Sequence, residues 1–290
     1  MMIGQKGNPT LALAATVAIL NPKAGHGRPV QLPRNIEVLE TKRRGHATEL
    51  TREAIKQGKK TIIAVGGDGT INEVVNGFFE NEQTIATDVE LAIVPHGTGS
   101  DFNRVISRAV PSGERRMIDA MKVRYTEMDG SSQSRYAINV TSLGMGGEVA
   151  ARVNQSYLAA LIQTAWSFTG RDVTLELDYS KMIEAKITNV AIGNGQYHGR
   201  GMWVCPGAII DDGLLDLTII RYLDLFDLAK SVPALYNGGI YSHPKVESHR
   251  VKHVKADSKD EVLIEVDGEP LGRLPIEISI VPKAVRVWAT

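Results

Sequence analysis

The run Gly66-Gly67-Asp68-Gly69-Thr70 is the densest piece of candidate chemistry in the chain. Glycines let a backbone turn sharply and come close to a phosphate. A helix that starts directly after them offers N–H groups and a positive dipole end to anionic oxygens. Asp68 would repel phosphate in such a place unless something neutralised it, and Mg²⁺ or a hydroxyl proton is the natural partner. Two further polar loops carry glycine, Asn21-Pro22-Lys23-Ala24-Gly25 and Pro95-His96-Gly97-Thr98-Gly99-Ser100-Asp101. Thr98 adds a hydroxyl, and Arg104 adds a permanent cation suited to phosphate or simply to a solvated helix face.

Each loop follows a short apolar run that suits a buried strand. The stretch Leu11 to Leu20 is too short for a membrane span, which needs ~20 residues, and reads as the first strand. Thr61–Val65 and Leu91–Val94 are the next two. Between them lie helical patterns. His46–Gln57 is one, stopped by Gly58. Ile71, Val74, Val75, Phe78 and Phe79 mark a second, with Thr70 and Glu73 forming a T-x-x-E capping box at its start. Phe102, Val105 and Ile106 mark a third. Strands alternating with helices predict an α/β domain with a mostly parallel sheet over residues 1–122. In such a sheet the loops at the strand C-terminal ends converge on one crevice, which points to a nucleotide site.

The pattern changes near Lys122. Short β-type runs follow at Tyr136–Val140, Val173–Leu177, Lys186–Ile192, Leu215–Ile220, Val262–Val266, Ile276–Val281 and Val285–Trp288. Helical stretches interrupt them near Tyr157–Phe168 and Leu225–Tyr236. Residues 123–290 therefore read as a mainly antiparallel β-sandwich or barrel, with the last strand free to return to the first domain. The apolar Tyr157–Phe168 stretch, with Trp166 and Phe168, suits a core-facing helix or a lipid-facing wall.

Composition narrows the partners. Thirty-three basic residues balance thirty-three acidic ones, so no bulk field draws the chain to nucleic acid. The local run Lys42-Arg43-Arg44 reads as a solvated loop or a phosphate contact. The single cysteine, Cys205, makes no intramolecular disulfide and no zinc site, which fits a reducing cytoplasm. It sits in the apolar run Met202–Cys205 and reads as a buried bystander.

Together these motifs resemble the diacylglycerol kinase catalytic-domain family, in particular the soluble bacterial lipid kinases that are similar to sphingosine and ceramide kinases. The residues that carry the resemblance are Asn21-Pro-x-Ala-Gly25, Gly66-Gly-Asp-Gly-Thr-Ile-Asn-Glu73 and Gly97-Thr-x-x-Asp-Phe102. In the second half they are Pro206-x-Ala-x-x-Asp-Asp-Gly-Leu-Leu-Asp216 and Asp267-Gly-Glu269. They occur in family order from Asn21 to Glu269. The glycine motif alone is shared with NAD kinases and phosphofructokinases; the full set is more specific.

The resemblance implies a Rossmann-like first domain of the NAD kinase and phosphofructokinase kind, and an ATP- and Mg²⁺-dependent lipid kinase. Asp68 would help hold Mg·ATP. The nucleotide would be contacted by Asn21, Thr41, Gly66, Gly67, Gly69, Thr70, Asn72, Glu73, Gly97, Thr98 and Arg104. Glu269 would be the general base for the lipid hydroxyl, on a different domain from the nucleotide loops. Asp212 would ligate a structural Mg²⁺ with the carbonyls of Ile209 and Leu214. The acceptor would be a diacylglycerol-like or sphingoid-like lipid at a membrane surface, met by a peripheral cytoplasmic protein, plausible as a homodimer. From the residues alone, Asp267-Gly268 is a hairpin turn signal, which leaves Glu269 open as an ordinary strand residue. Asp211, Asp212 and Asp216 are equally open as loop carboxylates. Two departures from the family stand out. No helix pattern follows the first loop, where Pro29 and Pro33 lie between Arg28 and Arg34. Ser100 stands where the family usually has asparagine, and both residues cap helices well. An NAD kinase-like enzyme and a non-catalytic nucleotide- or lipid-binding regulator are the alternatives. The Asp-Asp-Gly-Leu and Asp-Gly-Glu motifs and the β-rich half favour the lipid kinase.

Overall fold

The computed structural model describes residues 14–27, 29–33, 35–97, 100–152 and 157–289. The chain divides into two compact units, Met1–Asp119 with Pro282–Thr290, and Ala120–Val281.

The first unit runs β1 (Thr16–Leu20), β2 (Glu37–Glu40), α1 (His46–Lys56), β3 (Thr61–Gly66), α2 (Asp68–Asn76), the short pair β4 (Phe79–Glu80) and β5 (Gln83–Thr84), β6 (Glu90–Pro95) and α3 (Asp101–Ala109). Its sheet has the order β6-β3-β1-β2, all parallel. Arg286, Val287 and Trp288, at the very end of the chain, add a further parallel strand beside β6. The strands are short and apolar because both faces are covered: Ile62, Ala64 and Val65 of β3 and Leu91 of β6 have no solvent exposure. Helix α1 buries Ala47, Thr51 and Ala54; helix α2 buries Ile71, Val74 and Val75.

Two local expectations change. Helix α2 starts at Asp68 with Gly67 as its N-cap, so Thr70 already lies inside the first turn and the Thr70–Glu73 capping box does not form. The helix also stops at Asn76, and the buried Phe78 and Phe79 fall in the following turn and in β4. The crossover from β1 to β2 holds one 3-10 turn, Ala24–Gly27, and no α-helix among the described residues. That agrees with the two prolines there and departs from the usual helical crossover of a parallel pair.

The second unit begins within β7 (Arg115–Thr126). It continues through β8 (Ser132–Ala137), β9 (Val140–Gly144), α4 (Met145–Arg152), α5 (Tyr157–Ser167), β10 (Arg171–Leu177), β11 (Lys181–Gly193), β12 (Tyr197–His198), β13 (Met202–Trp203), β14 (Leu215–Arg221), α6 (Leu225–Asn237), β15 (Val246–Val251), β16 (His253–Asp257), β17 (Leu263–Val266) and β18 (Glu269–Trp288). Its strands are antiparallel in the order β15-β14-β11-β10-β16-β18. Strand β9 bridges β11 and β17, and β17 pairs with β18. Alternation sets the core: Val173, Leu175 and Leu177 of β10 point inward, and Leu143, Ile187, Val190, Leu217, Ile264 and Ile276 meet them.

The runs Ile276–Val281 and Val285–Trp288 are one strand, not two, because β18 passes through Pro282-Lys283-Ala284 without a break. Strands β15 and β16 and helix α4 carry no clear pattern in the sequence. Cys205 is fully buried, and that burial pushes its thiol up to about 12. On α5, Trp166 is 75% exposed; Phe168, just after the helix, is buried. Among the described residues no helix is long and apolar enough to cross a membrane.

Candidate nucleotide and acceptor sites

In the first unit β1 is flanked by β2 on one side and β3 on the other, so the chain reverses its direction of winding between β1 and β3. Ligands of open parallel sheets bind beyond the strand C-termini at such a point. Asn21 follows β1 there, Gly67 follows β3, and His96 follows the neighbouring β6.

The three loops are bound to one another. The Asn21 N–H donates to the Val65 carbonyl at 3.0 Å, and the His96 N–H donates to the Gly66 carbonyl at 2.9 Å. The Asn21 side-chain amide donates to the Thr70 hydroxyl at 3.1 Å. A Cβ on Gly97 would lie 2.6 Å from the Gly67 Cα, and one on Gly66 would lie 2.5 Å from the Thr70 side chain. Gly97 is therefore dictated by close backbone approach and Gly66 by the Thr70 side chain packed on it. Gly67 leaves the start of α2 without a side-chain cap. The first-turn amides of a nine-residue helix thus face the same loops with no protein oxygen from a capping side chain.

The acidic residues of the motif have partners far away in sequence. The Asp68 carboxylate accepts the N–H groups of Ser100 (2.9 Å), Asp101 (3.1 Å) and Phe102 (3.2 Å), and so caps α3. Ser100 has a φ of 85° and its side chain makes no cap bond, so Asp68 does that work from outside. A carboxylate has about four acceptor positions, and described residues use three of them. Glu73 accepts the Gly45 N–H (2.8 Å) and the Ala47 N–H (3.1 Å) at the start of α1. Asn72 is buried and its side-chain oxygen accepts from Asn76 at 3.1 Å. Thr41 is tied to the end of β1 through its N–H, at 2.8 Å from the Leu20 carbonyl. Arg104 lies on an exposed face of α3. Thr98 lies outside the described residues. Asn21, Gly66, Gly67, Thr70 and Gly97 are thus brought into mutual contact, whereas Asn72 and Glu73 are turned into the fold. Neither long-range cap has a local sequence signal.

In the second unit, Asp267 (φ 48°) and Gly268 (φ 84°) form the two-residue turn between β17 and β18. This is the left-handed pair that such hairpins require. The Asp267 carboxylate accepts the N–H groups of Ile138 (3.0 Å), Asn139 (3.0 Å) and Val140 (3.1 Å), which fixes the hairpin tip. Glu269 follows the turn. Its Oε2 accepts from the Arg135 guanidinium at 2.9 Å, with both side chains about one-fifth exposed.

The expected metal loop has a cation of its own. Asp212 pairs with the Arg250 guanidinium through Oδ2, and its Oδ1 accepts the Leu214 N–H at 3.0 Å. The Arg250 Nε lies 3.4 Å from Asp216 Oδ2. Burial holds the Asp216 carboxyl above the usual carboxylate range, and Arg250 works against that shift. Ile209 is exposed. No group of three or more metal-ligating side chains occurs among the described residues. As arranged, these carboxylates fit a guanidinium, and a metal here would have to displace Arg250. The candidate nucleotide loops present the opposite case: Gly97 lets two of them close on each other beside first-turn amides that no side chain caps, which fits a phosphate chain.

Residues 139–289 match the YegS C-terminal NAD kinase beta sandwich-like domain, and residues 15–130 match the diacylglycerol kinase catalytic domain. A relative in Xanthomonas oryzae pv. oryzae, named "Probable lipid kinase YegS-like", is 29% identical over 266 residues, covering 87% of this chain and 86% of its own. A diacylglycerol kinase crystal structure from Bacillus anthracis str. Sterne is similar at a TM-score of 0.69 and 21% identity, over 95% of this chain and 96% of that one. An NAD kinase of Archaeoglobus fulgidus in complex with ATP shares the fold more distantly, at a TM-score of 0.50 and 13% identity over 95% and 93%. With the first match covering more than half of its 290 residues and the second lying ahead of it, the chain belongs to the YegS-like lipid kinase family, built from a diacylglycerol kinase catalytic domain and a YegS C-terminal domain.

Proposed function

We propose that the protein transfers the γ-phosphoryl group of ATP, with Mg²⁺, to a hydroxyl of a diacylglycerol-like or sphingoid-like lipid presented at a membrane surface. The observation that carries this reading is the close contact of Gly67 and Gly97 beside an uncapped helix start. Such a cradle receives phosphate oxygens on backbone amides and admits no side chain.

Phosphoryl transfer is mainly positioning plus neutralisation of charge on the moving group. The glycine loops and the first turn of α2 hold the phosphates, and Asp68 lies beside them to hold a bound cation. Mg²⁺, when bound with ATP, supplies charge neutralisation at the transferred group. Glu269 accepts the proton of the lipid hydroxyl as that oxygen attacks phosphorus, and ADP leaves. Arg135 orients the Glu269 carboxylate through Oε2. The alternative NAD kinase-like reading has the same first-unit fold in its favour but no feature of the Asp267–Glu269 hairpin.

The test is transfer of label from [γ-³²P]ATP to a panel of lipids in mixed micelles with Mg²⁺, run beside Glu269→Gln and with NAD as a control acceptor. Label should enter a lipid in the parent protein and fall by roughly 10²–10⁴-fold in the variant, the usual worth of a general base. Label in NAD, or in no lipid while ATP still binds, would overturn the reading.

A further inference from the structure

Within the second unit, α4, α5 and α6 enclose a cavity of about 540 Å³. Its walls are apolar: Val149, Leu161, Leu228 and Leu235 line it, and among the described residues no aspartate, glutamate, lysine or arginine does. Ten large hydrophobic residues are exposed on the described surface. Four of them, Trp166, Leu225, Val232 and Tyr236, line this cavity, and a fifth, Phe226 (67% exposed), adjoins Leu225. Half of the exposed apolar side chains thus gather where α5 and α6 open to solvent, which marks a ligand site better than scattered exposure would.

The cavity also has a polar end. His198 lines it, and its Nδ1 lies 2.9 Å from Glu265 Oε1, with both residues buried. Glu265 is on β17 beside Ser142 of β9. The Ser142 hydroxyl is buried and makes no hydrogen bond among the described residues. Gly146, also in the lining, sits over that hydroxyl so closely that a Cβ would be 2.3 Å away. Glu265 is followed by Val266, which pairs directly with Glu269 across the hairpin. The partner of His198 and the carboxylate assigned as general base are therefore carried by one β-hairpin.

We propose that this cavity holds a single long acyl chain of the lipid acceptor, tail among α5 and α6 and polar end against His198. The proposal rests on the lipid-kinase reading and narrows its substrate class to lipids that present one chain to the protein. A methylene in liquid alkane fills nearly the volume of a water molecule, ~30 Å³, so the space suits roughly 18 methylenes. Burying each one strengthens binding roughly fourfold.

The experiment is a fluorescence titration of the full chain with cis-parinaric acid, a single-chain probe, followed by its displacement with 1-acylglycerols of increasing length. Ala165→Trp and Ala229→Trp would fill the cavity, and Met182→Trp adds the same ring on a surface away from it. Both cavity variants should weaken probe binding at least tenfold, while Met182→Trp leaves it unchanged. Displacement should improve roughly fourfold per methylene and then level off. Ala229 is on an exposed face of α6, so that variant carries the test if Ala165→Trp fails to fold, as judged by its melt. Unchanged probe binding in the folded cavity variants, or no dependence on chain length, would overturn the proposal. Binding that is lost in the variants while the parent phosphorylates no lipid would keep the chain site and remove the kinase reading. Phosphorylation with the same chain-length preference in parent and variants would do the reverse.

Discussion

Glu73 closes the start of a helix to which it does not belong: its Oε1 accepts the Gly45 N–H at 2.8 Å and its Oε2 the Ala47 N–H at 3.1 Å. Gly45 has no side chain with which to cap α1, so the carboxylate of α2 takes over. Glu73→Ala should lower stability by about 0.5–2 kcal/mol, the usual worth of an N-cap. Glu73→Gln keeps one acceptor oxygen and should lose less. Denaturant melts of the two variants check this, and equal stability of Glu73→Ala and the parent would remove the capping role.

Asp68 makes the same kind of contact with α3, but with three N–H groups. Hydrogen bonds to a charged group are worth about 1.5–3 kcal/mol, so Asp68→Ala should be clearly destabilised. Asp68→Asn retains one acceptor oxygen and should keep more of the fold. If Asp68 also holds the cation of the nucleotide, Asp68→Asn should lose lipid phosphorylation out of proportion to its lost stability. Melts and label transfer on the same samples separate the two effects.

Gly97→Ala places a methyl group where only 2.6 Å separates it from the Gly67 Cα. Something in the cradle must shift, and overpacking of this kind costs about 1–3 kcal/mol. The expected outcome is at least a tenfold loss of affinity for a fluorescent ATP analogue. Undiminished affinity would show that the two glycine loops do not form the phosphate site.

A pH effect follows from Glu277 and His253. The His253 imidazole lies 2.9 Å from Glu277 Oε1, and that hydrogen bond holds the Glu277 carboxyl below the usual range. A carboxyl lowered in the folded state contributes stability above its unfolded value, near 4.5, and that contribution is lost as pH falls through the lower folded value. Glu277→Gln should therefore melt below the parent at pH 7, and the two should converge as pH drops under 4.5. Glu277 is partly in solvent, so the difference at pH 7 should stay under about 1 kcal/mol. A gap between the two melting temperatures that does not narrow in acid would exclude this pair as its source.

The parts of the site that were legible in the sequence are those fixed by local chemistry. Glycines at the ends of β1, β3 and β6 are readable because each turn declares itself within a few residues, and so is the Asp267-Gly268 hairpin, whose positive φ values demand such residues. What was not legible acts at a distance. Glu73 reaches Gly45 28 positions away, Asp68 reaches Ser100 across 32, and Asp267 reaches Val140 across 127. An isolated acidic residue carries no mark of the helix or strand it will close. Arg250 is similar: nothing at its position links it to Asp212, 38 residues earlier. The run Pro282-Lys283-Ala284 reads as a turn for a related reason. Lys283 has a φ of 51°, and its N–H is accepted by the buried Asp119 at 2.7 Å, 164 positions back, so the strand is carried through it.

β3 covers one flank of β6 and Arg286, Val287 and Trp288 cover the other, and those three follow everything in the second unit. During synthesis the first unit therefore waits for the whole of the second before that flank of its sheet is covered. Until those three leave the ribosome, β6 exposes a row of unpaired backbone groups, the feature that invites strands of other chains to attach. Replacing Arg286, Val287 and Trp288 by strand-breaking residues would spare every residue assigned to chemistry and still leave the first unit prone to aggregate.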